Sequence, residues 1–201
     1  MPVTVLEAGG DRPPREVVDA VVEALRRGGV VALPTDTVYG LAVDPGVPGA
    51  TRRLFELKER PDTQPVAVLV ASLDQARLLA HPVPAYASKL MATHWPGALT
   101  LVLPRRRGVG LELGPPPDTV GVRCPDDPLV RAVADRLGPL ATTSANRHRH
   151  PTPETAGEIA ALFGDRLALV VDGGARAGRA STVVDCTGSS PVVLREGEVR
   201  V

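Results

Sequence analysis

The stretch "VVALPTDTVYGLAVDP", residues 30–45, opens on an apolar run and breaks into hydroxyls. Val30 to Leu33 read as a short buried strand, which Pro34 stops. Thr35, Asp36, Thr37 and Tyr39 then crowd into five positions. The chain has only two tyrosines, so placing one at a strand end beside small polar groups asks for a reason. Open α/β sheets bind ligands at loops clustered along one edge of the strands, and a polar tip on an apolar strand suits such a place.

Outward from this stretch, helices and strands alternate. Valines 17, 18, 21 and 22 with Leu25 recur at helical spacing over 15–27, and Gly28–Gly29 end that helix. Residues 50–58 read as a short amphipathic helix and "VAVLV" (66–70) as a buried strand. Ser72 with Gln75 has capping-box spacing ahead of "LDQARLLA", and 84–93 predict a further helix. "LTLVLP" (99–104) and "TVGVRCP" (119–125) read as strands joined by a proline-rich loop. Asp127–Pro128 has the form of an N-cap and first helical residue, for a helix ending at Gly138. "LATTSAN" reads as a strand running into a polar turn, and Thr152–Pro153 as the start of a helix to Phe163. "LALVVDGG" and "STVVDC" predict two strands with "GGARAGRA" as the hairpin loop between them, and "VVLREGEVRV" predicts a terminal hairpin. The expected fold is α/β: a single domain over 1–201 with a twisted, mixed parallel and antiparallel sheet flanked by helices.

Composition narrows the function. Twenty-three basic residues balance 23 acidic ones, so no global field draws the chain to nucleic acid or a membrane. The basic residues are nearly all arginine, which leaves Lys58 and Lys89 as the lysines. "MPVTVLEAGG" lacks a secretory start and no run reaches membrane-span length, so a cytoplasmic protein with Cys124 and Cys186 unpaired is expected. No glycine-rich phosphate loop of the common kinds occurs, and His81, His94, His148 and His150 have no metal-type spacing with acids or cysteines.

What remains is a set of polar strand tips: "PTDTVYG"; "KERPDTQP" with Lys58 and Arg60; "TVGVR", whose alternation puts Thr119 and Arg123 on one face; "TTSAN" with Ser144 and Asn146; "ASTVVD" with Ser181; and "VVLREG" with Arg195. Each alone is an ordinary turn or solvated edge. Six together suggest one site.

The blocks "PTDTVYGLAVD", "KERPDTQPVAVLV", "HWPGALTLVL", "TVGVRCPDDP", "TTSAN…PTP", "VVDGG…STVVD" and "VLREG" resemble, in order and spacing, the YrdC-type threonylcarbamoyl-AMP synthase family over roughly residues 14–200. The Lys58-x-Arg60 and Ser144-x-Asn146 pairs carry the resemblance most specifically. It implies a sheet with a concave basic cavity. It also implies condensation of L-threonine, bicarbonate and ATP to threonylcarbamoyl-AMP with release of pyrophosphate. Other proteins then transfer that group to an adenosine beside the tRNA anticodon. The chain ends where short members of the family end.

By this resemblance Lys58 and Arg60 are the catalytic cations. Thr35, Thr37, Tyr39, Arg123, Ser144 and Ser181 face threonine and bicarbonate, with Arg123 forking the threonine carboxylate. Lys58, Arg60, Thr119, Asn146, Thr152 and Arg195 hold ATP. Magnesium is expected to arrive with ATP, held by phosphates and water, with no protein metal cage. The expected partners are the three substrates, the downstream transfer proteins and, weakly, tRNA, with no membrane. Rival readings are a double-stranded RNA or tRNA-binding module, which zero net charge and few aromatics disfavour, and a paralogue with another carbamoyl or acyl-adenylate chemistry. A Ser144–His148 hydrolase lacks the nucleophile-elbow pattern.

Overall fold

In the computed structural model, which describes residues 3–8, 10, 12–59 and 65–201, ten strands form one sheet in the order β1-β8-β2-β3-β7-β4-β6-β5-β9-β10. The strands are β1 (Val5–Glu7), β2 (Val31–Leu33), β3 (Gly40–Val43), β4 (Ala67–Leu69), β5 (Leu99–Pro104), β6 (Thr119–Arg123), β7 (Leu140–Ser144), β8 (Leu169–Asp172), β9 (Thr182–Asp185) and β10 (Val192–Arg195). The helices are α1 (Arg15–Arg26), α2 (Ala50–Lys58), α3 (Leu73–Leu79), α4 (Ala85–His94), α5 (Pro128–Leu137) and α6 (Ala156–Phe163). Parallel and antiparallel pairs both occur along the sheet, with a run of antiparallel pairs from β2 through β3 and β7 to β4, so the expected mixed α/β architecture holds. No helix is long and apolar enough to cross a membrane among the described residues.

The two faces of the sheet bury different helices. On one, Leu54, Phe55, Ala76, Met91 and Ile159 from α2, α3, α4 and α6 pack on Leu41, Val68, Leu101 and Val122. On the other, Val18, Val21, Leu25, Val130 and Val133 from α1 and α5 cover Val31, Leu33, Leu140 and Val171. Among the described residues, β4 is the farthest strand across the sheet with which those two helices pack extensively, α5 meeting it at Leu69. On that same face β6, β5 and β9 contribute alternate side chains to a cavity. Its floor is kept low by small residues in register: Thr142 and Gly121 flank Ala67, and Val102 follows Gly121.

Local signals explain most boundaries. Asp127 caps α5 through Oδ1, which accepts from Val130 N, with Pro128 at the first position. Ser72 Oγ accepts from Gln75 N to start α3, but the Gln75 side chain accepts from Ala71 rather than closing a box on Ser72. Four expectations change. Helix α6 begins at Ala156, because Thr155 and Glu158 form a reciprocal capping box that Thr152–Pro153 cannot supply. β1 and β3 join the sheet without having been read as strands. "GGARAGRA" is not a hairpin loop: β8 and β9 are separated by six strands, so residues 173–181 cross the sheet end. The terminal hairpin is also absent as read. β10 pairs back on β9, and the tail beyond it is held by Thr182, whose hydroxyl donates to Val199 O and accepts from Gly197 N and Val199 N. Gly197 is required there, since a Cβ would lie 2.3 Å from Ala180 O.

Candidate active site

The cavity has a volume of about 370 Å³, within the size range of small-molecule sites. Thr35, Thr37, Tyr39, Thr119, Arg123, Ser144, Ser181 and Arg195 all line it, so eight of the expected site residues converge from five strands and their flanking loops. Lys58, Asn146 and Thr152 are not on the wall, and Arg60 lies outside the described residues.

The turn between β2 and β3 forms the first wall. Thr35 Oγ1 donates to Val38 O at 2.6 Å and accepts from Thr37 N at 3.2 Å, so side chain replaces backbone as the partner within the turn. Thr35 and Thr37 hydroxyls lie 3.0 Å apart. A hydroxyl has one proton. Thr35 spends its proton on Val38 O, so the shared proton comes from Thr37. Arg123 Nη1 donates to Thr37 Oγ1 at 3.0 Å, which occupies one of that oxygen's lone pairs. One acceptor lone pair on Thr37 is left for the cavity. Thr35 is saturated and contributes shape only.

Arg123 is more committed than the sequence suggests. Nη2 donates to Asp36 Oδ1 at 2.5 Å and Nε to Gly97 O at 3.0 Å, with both charged side chains largely buried. Three of its five N–H groups are used inside the protein, so an open fork for a carboxylate is not what the wall presents; one N–H on each Nη remains. The expected basic cavity narrows accordingly, because Asp36 cancels the Arg123 charge.

Arg195 supplies the second guanidinium. Its Nε and Nη2 donate to Ser181 O at 3.1 and 2.8 Å, and Nη2 also reaches Ser181 Oγ at 3.2 Å. Partial desolvation against the cavity wall, and then the neighbouring Arg123 charge, lower its pKa. No carboxylate pairs with it among the described residues, which leaves Nη1 available to an anion. Ser181 Oγ also lies 2.8 Å from Thr100 Oγ1. Thr100 was missed by the sequence reading, as were Gly121 and Thr142. The period-two signal for the last two was present, since Gly121 lies between Thr119 and Arg123 and Thr142 two before Ser144.

Three residues expected at the ligand, Tyr39, Lys58 and Asn146, spend their polar groups on bracing the frame. Tyr39 Oη donates to Gly174 O at 2.9 Å and accepts from Gly173 N at 3.2 Å; its ring lines the cavity, and burial raises the phenol pKa. Lys58 is not an exposed loop cation. It ends α2, is 3% exposed, and donates from Nζ to Ser144 O at 2.5 Å, Asn146 O at 2.6 Å and Asn146 Oδ1 at 3.1 Å. Asn146 Oδ1 also accepts from Ser144 Oγ at 2.5 Å, while its Nδ2 donates to Arg147 O and His150 O. Lys58 and Asn146 therefore shape the turn that presents Ser144. Among the described residues no three His, Cys, Asp or Glu side chains converge as a metal cage, and the wall offers hydroxyls and guanidiniums instead. Hydroxyls and guanidiniums differ from the carboxylate and carbonyl oxygens that bind hard divalent cations. Cys124 and Cys186 are both buried and unpaired.

The family profile of Sua5/YciO/YrdC, described as telomere recombination, matches residues 23–197. Threonylcarbamoyl-AMP synthase of Bacillus subtilis is 40% identical over 184 residues, covering 87% of this chain and 51% of that protein. The crystal structure of P. abyssi Sua5 complexed with L-threonine superposes with a TM-score of 0.85 at 35% identity, covering 97% of this chain and 57% of that one. E. coli YciO superposes with a TM-score of 0.88 at 27% identity, over 97% of this chain and 96% of that one. The chain thus spans about half the length of the first two relatives.

Proposed function

The chain belongs to the Sua5/YciO/YrdC family, and on that premise we propose that it condenses L-threonine, bicarbonate and ATP to threonylcarbamoyl-AMP. The observation that carries this reading is the convergence of Thr37, Arg123, Ser181 and Arg195 on one cavity. A relative with the same fold is solved with L-threonine, and others are named for this activity.

The reaction needs positioning and charge more than covalent help. The threonine amine attacks bicarbonate, forming a carbamate N–C bond with loss of water. A carbamate oxygen then attacks the α-phosphorus of ATP and pyrophosphate leaves. The lone pair left on Thr37 suits a donor on the amino acid, either its amine or its hydroxyl. The remaining Nη N–H groups of Arg123 suit a carboxylate oxygen. Arg195, with no acid partner, suits a phosphate, and Thr119 lies on the same wall. Lys58 and Asn146 act through the Ser144 turn. Arg60 and Thr152 remain assigned to ATP on the resemblance alone. Magnesium bound with ATP would offset phosphate charge. We place the protein in the cytoplasm, supplying its product to the proteins that modify tRNA.

The test is pyrophosphate release with threonine and bicarbonate omitted in turn. Release that requires both supports the synthase. Release unchanged without threonine rejects it.

A further inference from the structure

We propose that Arg176 is a positioning residue for the amino-acid end of the cavity, acting through the carbonyl of Thr35 and not by touching substrate. This rests on the synthase reading above.

The turn from Pro34 to Val38 bears the Thr35–Thr37 pair, and residues 36–38 are a bend, not a ladder. Inside the turn, Thr35 Oγ1 supplies the bonds that backbone would otherwise make. Its position in the molecule is set from two sides. Arg123 holds Asp36 and Thr37 from the cavity side. From the opposite side comes the segment that crosses between β8 and β9, and its anchor is Arg176.

Arg176 Nε donates to Thr35 O at 2.8 Å, while Nη1 donates to Gly173 O at 2.7 Å and Ala175 O at 3.2 Å. Nη2 lies 3.9 Å from Asp127 Oδ2 at the start of α5, and the Arg176 backbone N donates to Glu154 O at 2.8 Å. One planar group therefore ties the turn to the crossing segment and to a helix cap. The crossing segment also presses on the turn directly: a Cβ at Gly178 would lie 2.5 Å from Thr37 O. Arg176 itself is absent from the cavity wall.

The fixed fork of a guanidinium spans Thr35 O and Gly173 O at once, which a lysine ammonium on a flexible stem does not reproduce. Displacing Thr35 moves the hydroxyl that takes the Thr37 proton, and so redirects the lone pair left for the amino acid. The opposite end of the cavity is held by other bonds, those of Arg195 and Thr100 to Ser181. The effect is therefore confined to one substrate.

The experiment uses Arg176→Lys and Arg176→Gln, with KM for threonine, KM for ATP and kcat measured alongside amide hydrogen exchange of the protein alone. Arg176→Lys keeps a charge for Asp127 and is expected to melt near the wild type. The expected result is a threonine KM raised roughly fivefold or more, with ATP KM and kcat within about twofold, and faster exchange confined to residues 35–40 and 173–178. An unchanged threonine KM in a folded variant overturns the proposal, as does a parallel rise in both KM values. If the wild type shows no threonine-dependent turnover, the synthase reading fails by itself. The exchange arm then decides the role of Arg176: faster exchange at 35–40 supports the brace and unchanged exchange refutes it.

Discussion

Lys58 and Asn146, 88 residues apart in sequence, are joined by two hydrogen bonds from one ammonium, at 2.6 Å to the backbone oxygen and 3.1 Å to Oδ1. With Ser144 O as a third acceptor, the ammonium meets three acceptors on one turn. Lys58→Ala would take the ammonium from the part-buried Asn146 O and leave Ser144 O held by Asn146 N alone and Asn146 Oδ1 by Ser144 Oγ alone. Stability should fall by about 2 kcal/mol or more, read from urea unfolding, and turnover should fall with it. Lys58→Ala with wild-type stability would show that the ammonium does not brace the turn.

The Arg123–Asp36 pair supplies a second expectation. Removing one partner of a largely buried ion pair strands the other, so Asp36→Asn should cost about 3 kcal/mol. Arg123→Lys keeps the charge but cannot serve Gly97 O, Thr37 and Asp36 together. Its threonine affinity should fall by about 1–3 kcal/mol in a calorimetric titration. Unchanged affinity would remove Arg123 from the threonine end.

Gly121 separates stability from binding. A Cβ there meets Thr100 at 3.7 Å and Ala67 Cα at 3.8 Å, ordinary contacts that the fold accepts. Gly121→Val should hold or raise the melting temperature, because a β-branched residue suits a strand better than glycine. It should also fill the cavity floor and weaken ligand binding by at least about tenfold, about 1.4 kcal/mol. Full activity in a stable Gly121→Val protein would place the ligand elsewhere.

Asp127 carries a pH prediction. Burial pushes its carboxyl above the ordinary 3.8, outweighing the Val130 N–H bond and the Arg176 charge. The native state then holds a proton more tightly than the unfolded chain. The penalty for ionising is absent below 3.8 and builds as pH rises through the window above it. Asp127→Asn keeps the cap acceptor without the charge. Its melting temperature relative to wild type should therefore improve from pH 3.5 to pH 7. A gap that moves the other way would show that the Arg176 attraction dominates.

Much of the fold was legible because local rules decided it. "LTLVLP", "TVGVR" and "LATTS" became β5, β6 and β7, and Asp127–Pro128 capped α5 as read. Strand partnership was not legible. Glycines between two apolar runs signal a hairpin, yet Leu169 to Asp172 pair with β1 and β2 while Thr182 to Asp185 pair with β5 and β10. Pairing at that distance leaves no local period. The site divides the same way. Alternation put Thr119 and Arg123 on one face, but nothing local says that Asp36 meets Arg123 across 87 residues, or that the Lys58 amine turns inward. Residue type predicts an exposed lysine, and the long-range acceptors that draw Lys58 inward do not show in sequence.

Threonine, bicarbonate and ATP are proposed to meet in this cavity. Mass spectrometry of the adenylate formed with carbon-13 bicarbonate tests it most directly. The account predicts a threonylcarbamoyl-AMP product that carries the heavy carbon, is released with pyrophosphate, and is lost when Arg195 is replaced by alanine. A threonine-dependent adenylate without the label would contradict it, because the amino acid would then be activated at its own carboxylate and the carbamate step would not occur.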